Sequence, residues 1–399
     1  MCPQMAEAAT PQKIAPEGHA LGINAKSRAT LAMERKAARF ELQSVARSIL
    51  PNSRTAKCMR IAFKASGVEV WKALEHHTTH YGGLQTCGSV WTCPVCAAKI
   101  AERRAAEIKH CMDMHRAEGG EVHLMTLTIP HGRRDVLEEL HDKMQDAHER
   151  FSRDRKVKAV RAEMGYLGQI RALEVTHGRK ATNNGWHPHF HILMFVTCKA
   201  DAEMLAAWKL RLHERWVAYC KKAGLGAPSL EHGIDLQDGK HADRYVSKWG
   251  LEDELTKAHL KKGKAGGETP FDLLRAVAED GCKQAASLFA EFAACFKGRR
   301  QLFWTKGLKA RWYLDEKTDE QLAAEAEERA VLLGLLTAEQ WRTVRAVDGR
   351  ATLLMIAARQ DWQSVESYLY FARHCMGGGI TRAELVEAGQ MLMEVTHAV

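Results

Sequence analysis

His189 and His191 stand two apart in the run Gly185-Trp-His-Pro-His-Phe-His-Ile-Leu-Met-Phe195. On a strand, side chains alternate faces, so both imidazoles project to one side while Phe190 and Ile192 project to the other. Two convergent neutral imidazoles supply two arms of a divalent-metal site. Glu174 is the expected third arm, because it lies on the neighbouring strand of a hairpin whose turn signal is Asn183-Asn184-Gly185. A carboxylate beside two imidazoles suits Mn²⁺ or Mg²⁺ and leaves positions open for a phosphate oxygen. His187 shares the parity of the pair, but Pro188 and the turn leave its direction open between auxiliary ligand and substrate contact. The plainer reading, that these histidines only pack or hydrogen-bond, fits poorly on an otherwise apolar strand, where each buried ring needs polar partners.

Downstream, His241-Ala-Asp-Arg-Tyr-Val-Ser-Lys-Trp249 places Tyr245 and Lys248 three apart, on one face of a helix. A phenol attacks phosphorus only if its proton is lost or its developing charge is stabilised, and Lys248 could do that or hold the scissile phosphate. Taken alone, Tyr-x-x-Lys carries no weight, since it usually means a half-buried ring beside a solvated charge. Its position after the histidine strand is what gives it meaning. A third cluster, Cys87, Cys93 and Cys96, contains the knuckle Cys93-Pro-Val-Cys96, whose thiolates can grip one Zn²⁺. Tetrahedral zinc needs a fourth ligand. Reduced structural cysteines are the alternative, and no thioredoxin-like pattern surrounds the knuckle to suggest redox chemistry.

These residues need elements to position them. Residues 121–129 read as a buried strand stopped by Pro130, residues 134–164 as a long helix, and residues 169–176 and 188–196 as the two strands of the hairpin. A helix at 202–222, a short strand at 233–237 and a helix opening near His241 follow. That order fits the α+β class, an antiparallel sheet with helices packed on it, better than a doubly wound parallel sheet. The chain divides into a flexible basic N-terminal arm (1–54), in which residues 29–50 could form a helix on contact, a small zinc-binding module (55–118), a catalytic domain with an extension (119–315) and a helical C-terminal domain (316–399). Residues 260–270 read as an exposed loop. Packing or self-association of the tail is favoured over recruitment of a helicase.

The chain has 399 residues and a hydrophobic fraction of 46%, enough for a sizeable core. Its 58 Lys and Arg against 49 Asp and Glu give a net charge of +9, a weak pointer to a polyanionic partner. The 11 cysteines lack the density and spacing of a secreted disulfide scaffold, so a reducing compartment is expected. No stretch approaches the about 18 apolar residues of a membrane span, and the first residues lack a signal-peptide core. A cytoplasmic protein without a membrane partner is expected.

Residues 55–315 resemble the replication initiators of rolling-circle plasmids, within the HUH endonucleases named for their His-hydrophobic-His motif. The resemblance rests on Leu124-Met-Thr-Leu-Thr-Ile-Pro130, on Ala172-Leu-Glu-Val-Thr-His-Gly178 leading into Trp186-His-Pro-His-Phe-His191, and on Tyr245-Val-Ser-Lys248. Lys297-Gly-Arg-Arg-Gln-Leu-Phe-Trp-Thr-Lys-Gly-Leu308 resembles the family's sequence after the catalytic domain. It implies a ferredoxin-like catalytic sheet and metal at His189 and His191 with an acidic ligand. It also implies nicking of single-stranded or hairpin origin DNA by Tyr245, with a covalent 5′-phosphotyrosine and a free 3′-hydroxyl. Similar initiators carry an upstream cysteine, which makes Cys58 the fourth zinc ligand, with His77 or His80 as runner-up. Relaxases place the tyrosine ahead of the histidine motif, and related transposases often carry two tyrosines on one helix. Here a single tyrosine follows the motif, and the position four after it is Trp249. Some members use a carboxylate one turn before the tyrosine to activate water for termination. Here that position is His241, so Asp243 or Asp238 would have to substitute. Two further readings compete: a zinc-dependent DNA-binding regulator that never cleaves, and a hydrolase for which Tyr245 is dispensable.

Overall fold

A computed structural model describes residues 21–75, 78–179, 184–248, 267–325, 329–359 and 361–394, including their side chains except at 21–30, 247, 248 and 394. In chain order the elements are α1 (Leu21–Ile49), α2 (Arg54–Lys57), β1 (Val68–Ala73), β2 (Thr79–Gly82), α3 (Pro94–Ala117) and β3 (Glu121–Thr128). Next come α4 (Leu137–Arg153), α5 (Arg155–Glu163), β4 (Tyr166–Gly178), β5 (Gly185–Val196), α6 (Ala202–Lys222), β6 (Ile234–Gln237) and α7 (Gly239–Lys248). Then follow α8 (Pro270–Asp280), α9 (Lys283–Cys295), β7 (Leu302–Trp304), α10 (Leu308–Arg311), α11 (Asp319–Ala324), β8 (Ala330–Leu336), α12 (Ala338–Ala346), α13 (Arg350–Arg359), α14 (Trp362–Met376) and α15 (Arg382–Glu394). The class is α+β. No helix among the described residues is long and apolar enough to cross a membrane.

The larger sheet runs β6-β3-β5-β4-β7, and every neighbouring pair is antiparallel. The expected hairpin is β4 with β5, which puts Glu174 directly opposite His189. Gly185 begins β5 at φ +73°, where a side chain would be strained and its Cβ would lie 2.6 Å from the Gly132 carbonyl oxygen. One face of the sheet carries Leu127, Phe190, Ile192, Met194 and Val175, packed under Met144 and Phe151 of α4, Trp216 of α6, and Phe289 and Phe292 of α9. The other face carries Val122, Leu124, Leu193 and Phe195, packed under Ile108 and Met112 of α3, Ala242 and Val246 of α7, and Trp312. Both faces are covered only where β5 is continuously apolar; its histidine half alternates.

The long helix expected at 134–164 is broken at Asp154. Its backbone there is extended, and its carboxylate caps α5 by accepting the amides of Lys156 and Val157. It also accepts from Arg215 and Tyr219 of α6, so a tertiary contact fixes the break. Burial pushes the Asp154 carboxyl up, but the Tyr219 hydroxyl, the Val157 amide and Arg215 outweigh it and hold the pKa down at about 2. A depressed carboxyl contributes stability that is full above its unfolded pKa of about 3.9 and is lost as pH falls toward its folded value. Urea unfolding of Asp154→Ala is therefore expected to show a loss of about 1–2 kcal/mol near neutral pH. That loss shrinks between about pH 4 and 2, and a difference constant across this window would contradict the account.

Of the flexible arm expected at 1–54, residues 1–20 lie outside those described, and the rest departs from it. From Leu21 it is a helix, with Met33, Phe40, Leu42 and Ala46 buried. Partners press on α1 from several sides, so its apolar residues spread around it instead of forming one legible stripe. Buried Gln43 accepts from fully buried Arg350 of α13 and donates to Cys93 Sγ at 3.1 Å. The C-terminal region is not all helical either: β8 joins a second antiparallel sheet, β2-β1-β8. Its run Val331-Leu-Leu-Gly-Leu-Leu336 suits a strand, and Gly334 leaves room for the Trp362 ring. Residues expected in separate modules at 55–118 and 316–399 thus share one sheet.

Candidate active site

Cross-strand neighbours share a face, and β3, β4 and β5 bring their polar residues together at one end of the larger sheet. Glu174 Oε2 lies 3.5 Å from His189 Nε2 and 3.5 Å from His191 Nε2. One ligand atom from each of the three lies within 4.8 Å of the others. The second ring nitrogens are engaged. His189 Nδ1 is 3.2 Å from the His187 carbonyl oxygen, to which it donates, and His191 Nδ1 is 2.9 Å from Thr126 Oγ1. Both Nε2 atoms are thereby turned toward Glu174, the arrangement that ligating imidazoles adopt. Burial pushes the Glu174 carboxyl up, but the imidazoles of His191 and His189 outweigh it and hold it well below the usual carboxylate range. A carboxylate and two imidazoles converging in this way form a donor set that fits one divalent cation.

Helix α7 delivers the phenol. Ala242 and Val246 bury into the sheet, and Tyr245, three after the first and next to the second, falls on the same side. Its hydroxyl donates to Glu174 Oε1 at 2.7 Å, and its ring centroid lies 4.5 Å from that of His191. Lys248 is the last residue of α7, and its side chain lies outside those described. Trp249 and the expected loop up to residue 266 also lie outside the described residues.

His187 is not one of the converging trio. Its ring stacks on His131 at 4.6 Å, and burial, with the neighbouring imidazoles of His189, His131 and His191, pushes its pKa down to about 3. Asp243 is also apart: it pairs with Arg116 of α3 at 2.8 Å. Two residues of helix turn a side chain by about 200°, so a group two before Tyr245 faces away from it. Asp238 accepts from His241 Nδ1 at 2.9 Å and from the Lys240 amide at the start of α7. Sequence reasoning missed Thr126 and His131. Thr126 sits directly opposite His191 on β3, a register that only the folded sheet reveals.

The cysteines form a second convergent set. Cys58 Sγ is 3.4 Å from Cys96 Sγ and 3.7 Å from Cys93 Sγ, and Cys87 Sγ is 3.7 Å from Cys96 Sγ. All four are buried and free of disulfides. A disulfide would need about 2.05 Å. Thiolates at about 2.3 Å from a tetrahedral Zn²⁺ stand about 3.8 Å apart, so the spacing fits a zinc site. Hydrogen bonds from Cys58, Cys87 and Cys93 hold the Cys96 thiol well below its ordinary value, whereas burial pushes Cys93 well above. Cys58 ends α2, Cys87 lies in the loop after β2, and Cys93 and Cys96 open α3. His80 is not among the four converging side chains, and His77 lies outside the described residues.

Residues 83–343 match a family of proteins described as replication protein. Over 350 aligned positions the chain is 29% identical to "Protein rep" of Streptomyces lividans, covering 68% of this chain and 75% of that one. It is 32% identical over 145 positions to a "Neomycin resistance protein" of Streptomyces cyanogenus, covering 30% of this chain and 32% of that protein. No solved structure matches.

Proposed function

Since this chain belongs to the replication protein family, we propose that it is a plasmid-type rolling-circle replication initiator that nicks and rejoins one strand of origin DNA through Tyr245. The observation that carries the reading is the phenol of Tyr245 held 2.7 Å from the carboxylate shared with His189 and His191. The strand order supports it too. Numbering β3 to β6 as one to four, the sheet runs four-one-three-two with helices between one and two and between three and four, the ferredoxin-like arrangement of an HUH endonuclease.

Glu174 orients the phenol by accepting its hydrogen and stands ready to receive the proton as the oxygen attacks. Tyr245 Oη forms a bond to phosphorus while the bond from phosphorus to the 3′ oxygen breaks. The 3′ oxygen leaves, gains a proton and becomes the free hydroxyl, and the 5′ phosphate stays on the tyrosine. Attack by a 3′-hydroxyl on that phosphotyrosine reverses the step and rejoins the strand. A Mn²⁺ or Mg²⁺ ion on Glu174, His189 and His191 would polarise a nonbridging phosphate oxygen. Lys248, one turn after Tyr245, is assigned to stabilise charge at the phosphate. Zn²⁺ on Cys58, Cys87, Cys93 and Cys96 has a structural role. Asp243, drawn to Arg116, is a poor candidate for activating a terminating nucleophile.

The test is incubation with labelled single-stranded origin DNA, with Mn²⁺ or with EDTA, resolved on a denaturing gel. A cation-dependent nick with a protein-linked 5′ fragment supports the reading, and strand binding without cleavage under any cation overturns it. The trio itself is tested by calorimetric titration of Mn²⁺. Glu174→Gln is expected to weaken binding by at least the roughly 10–100-fold that even outer partners of a ligand cost. Unchanged affinity would remove Glu174 from the cation site.

A further inference from the structure

A cleft of about 1180 Å³ separates the cysteine cluster from the edge of the larger sheet. One wall is the start of α2 and the Cys87 to Thr92 loop, and the other is the end of α9, the turn after it and β7. Among its lining carboxylates, Asp319 is paired with Arg104 and Glu320 with Arg54. Glu316 also lines the cleft and is exposed. Lys297, Arg300 and Lys306 line the cleft, are exposed, and have no carboxylate partner among the described residues. Phe303 adds a ring, 40% exposed, over which the Arg171 guanidinium lies at 4.4 Å. The turn is held in place: the Trp91 indole donates to the Arg299 carbonyl at 2.7 Å, and the Arg299 guanidinium is tied to Asp142 and Glu138.

The cleft runs along β7, the strand next to β4, which carries Glu174. Leu302 pairs with Ala172, and the Leu173 amide donates to the Gln301 carbonyl at 3.0 Å. Arg300 precedes Leu302 by two residues and Glu174 follows Ala172 by two, so the antiparallel register carries Arg300 to the level of Glu174. Cations without a described carboxylate partner beside an exposed ring, on the strand next to the one that carries Glu174, are what a single strand needs: charges to track phosphates and a ring to stack a base. We infer that this cleft binds the single DNA strand running to or from the phosphate that Tyr245 attacks. The inference rests on the DNA-nicking reading, which it extends by giving the strand a path.

The test is fluorescence anisotropy of a labelled oligothymidylate single strand across a salt series. It compares wild type, the triple variant Lys297→Ala, Arg300→Ala, Lys306→Ala, and a control triple on and just before α6, Lys199→Ala, Lys221→Ala, Lys222→Ala. Losing three phosphate contacts is expected to weaken binding by at least about tenfold and to lower the slope of log affinity against log salt by about 2. The control triple should stay near wild type. Unchanged affinity and slope in the cleft variant, or an equal loss in the control, overturns the inference. Nicking of origin single strand separates the two readings. If wild type nicks and the cleft variant binds normally, only the cleft assignment fails; if wild type never nicks, the anisotropy still reports whether the cleft binds DNA.

Discussion

Tyr245→Phe is expected to eliminate the protein-linked 5′ fragment and to lower the nicking rate by at least about 10³-fold, in keeping with the cost of removing a covalent nucleophile. Only one oxygen is lost, from a half-buried residue whose ring packs beside His191 and whose helix is anchored independently by Ala242 and Val246. The fold should therefore persist. Glu174 Oε1 loses a donor, but the imidazoles of His189 and His191 still face its other oxygen, so Mn²⁺ affinity should change little. Retained cation binding and single-strand binding with loss of both nick and adduct is the signature of a nucleophile. If the phenylalanine variant cuts at the wild-type rate, water is the attacking group and the site is that of a hydrolase.

The second large effect belongs to the cysteine cluster. Cys96→Ser, or stripping with a strong chelator, is expected to remove one Zn²⁺ per chain and to collapse the region around β1, β2 and β8. Structural zinc binds with an apparent about 10–16 kcal/mol, comparable to the about 5–15 kcal/mol net stability of a whole domain. The four sulfurs tie together three separated segments, the end of α2, the loop before α3 and the first turn of α3, while Ile100, Leu322 and Ala323 pack around them. Losing even about 5 kcal/mol would lower the melting temperature by about 10–20 °C in a unit of this size. Elemental analysis and thermal unfolding check both halves. Full stability of Cys96→Ser with no zinc in the wild type would leave four reduced cysteines that merely pack.

The parts of the site visible in the sequence are those governed by local periodicity. Alternation on one strand predicts that His189 and His191 share a face, and a tight turn predicts that Glu174 lies beside them; helical spacing predicts that Tyr245 and Lys248 share a face, of which the Lys248 side chain lies outside those described. Cys58 is different: 29 residues before Cys87, it entered through resemblance rather than through spacing, and the fold supplies its proximity. What local pattern could not reveal depends on partners distant in sequence. Strand β8 is defined by pairing with β1, and α1 is buried against residues distant in sequence, Arg350 among them. The break at Asp154 is fixed by Arg215 and Tyr219, and the direction of Asp243 is set by Arg116. Thr126 meets His191 only because β3 lies between β5 and β6.

The central claim is that the phenol of Tyr245 becomes covalently joined to DNA, and the most direct measurement is peptide mapping of the adduct. The protein would be incubated with single-stranded origin DNA and Mn²⁺, digested with nuclease and protease, and analysed by mass spectrometry. A nucleotide carried on Tyr245 through its 5′ phosphate is the result the account predicts. A nucleotide on any other residue, or cleaved strand with no adduct at all, would contradict it.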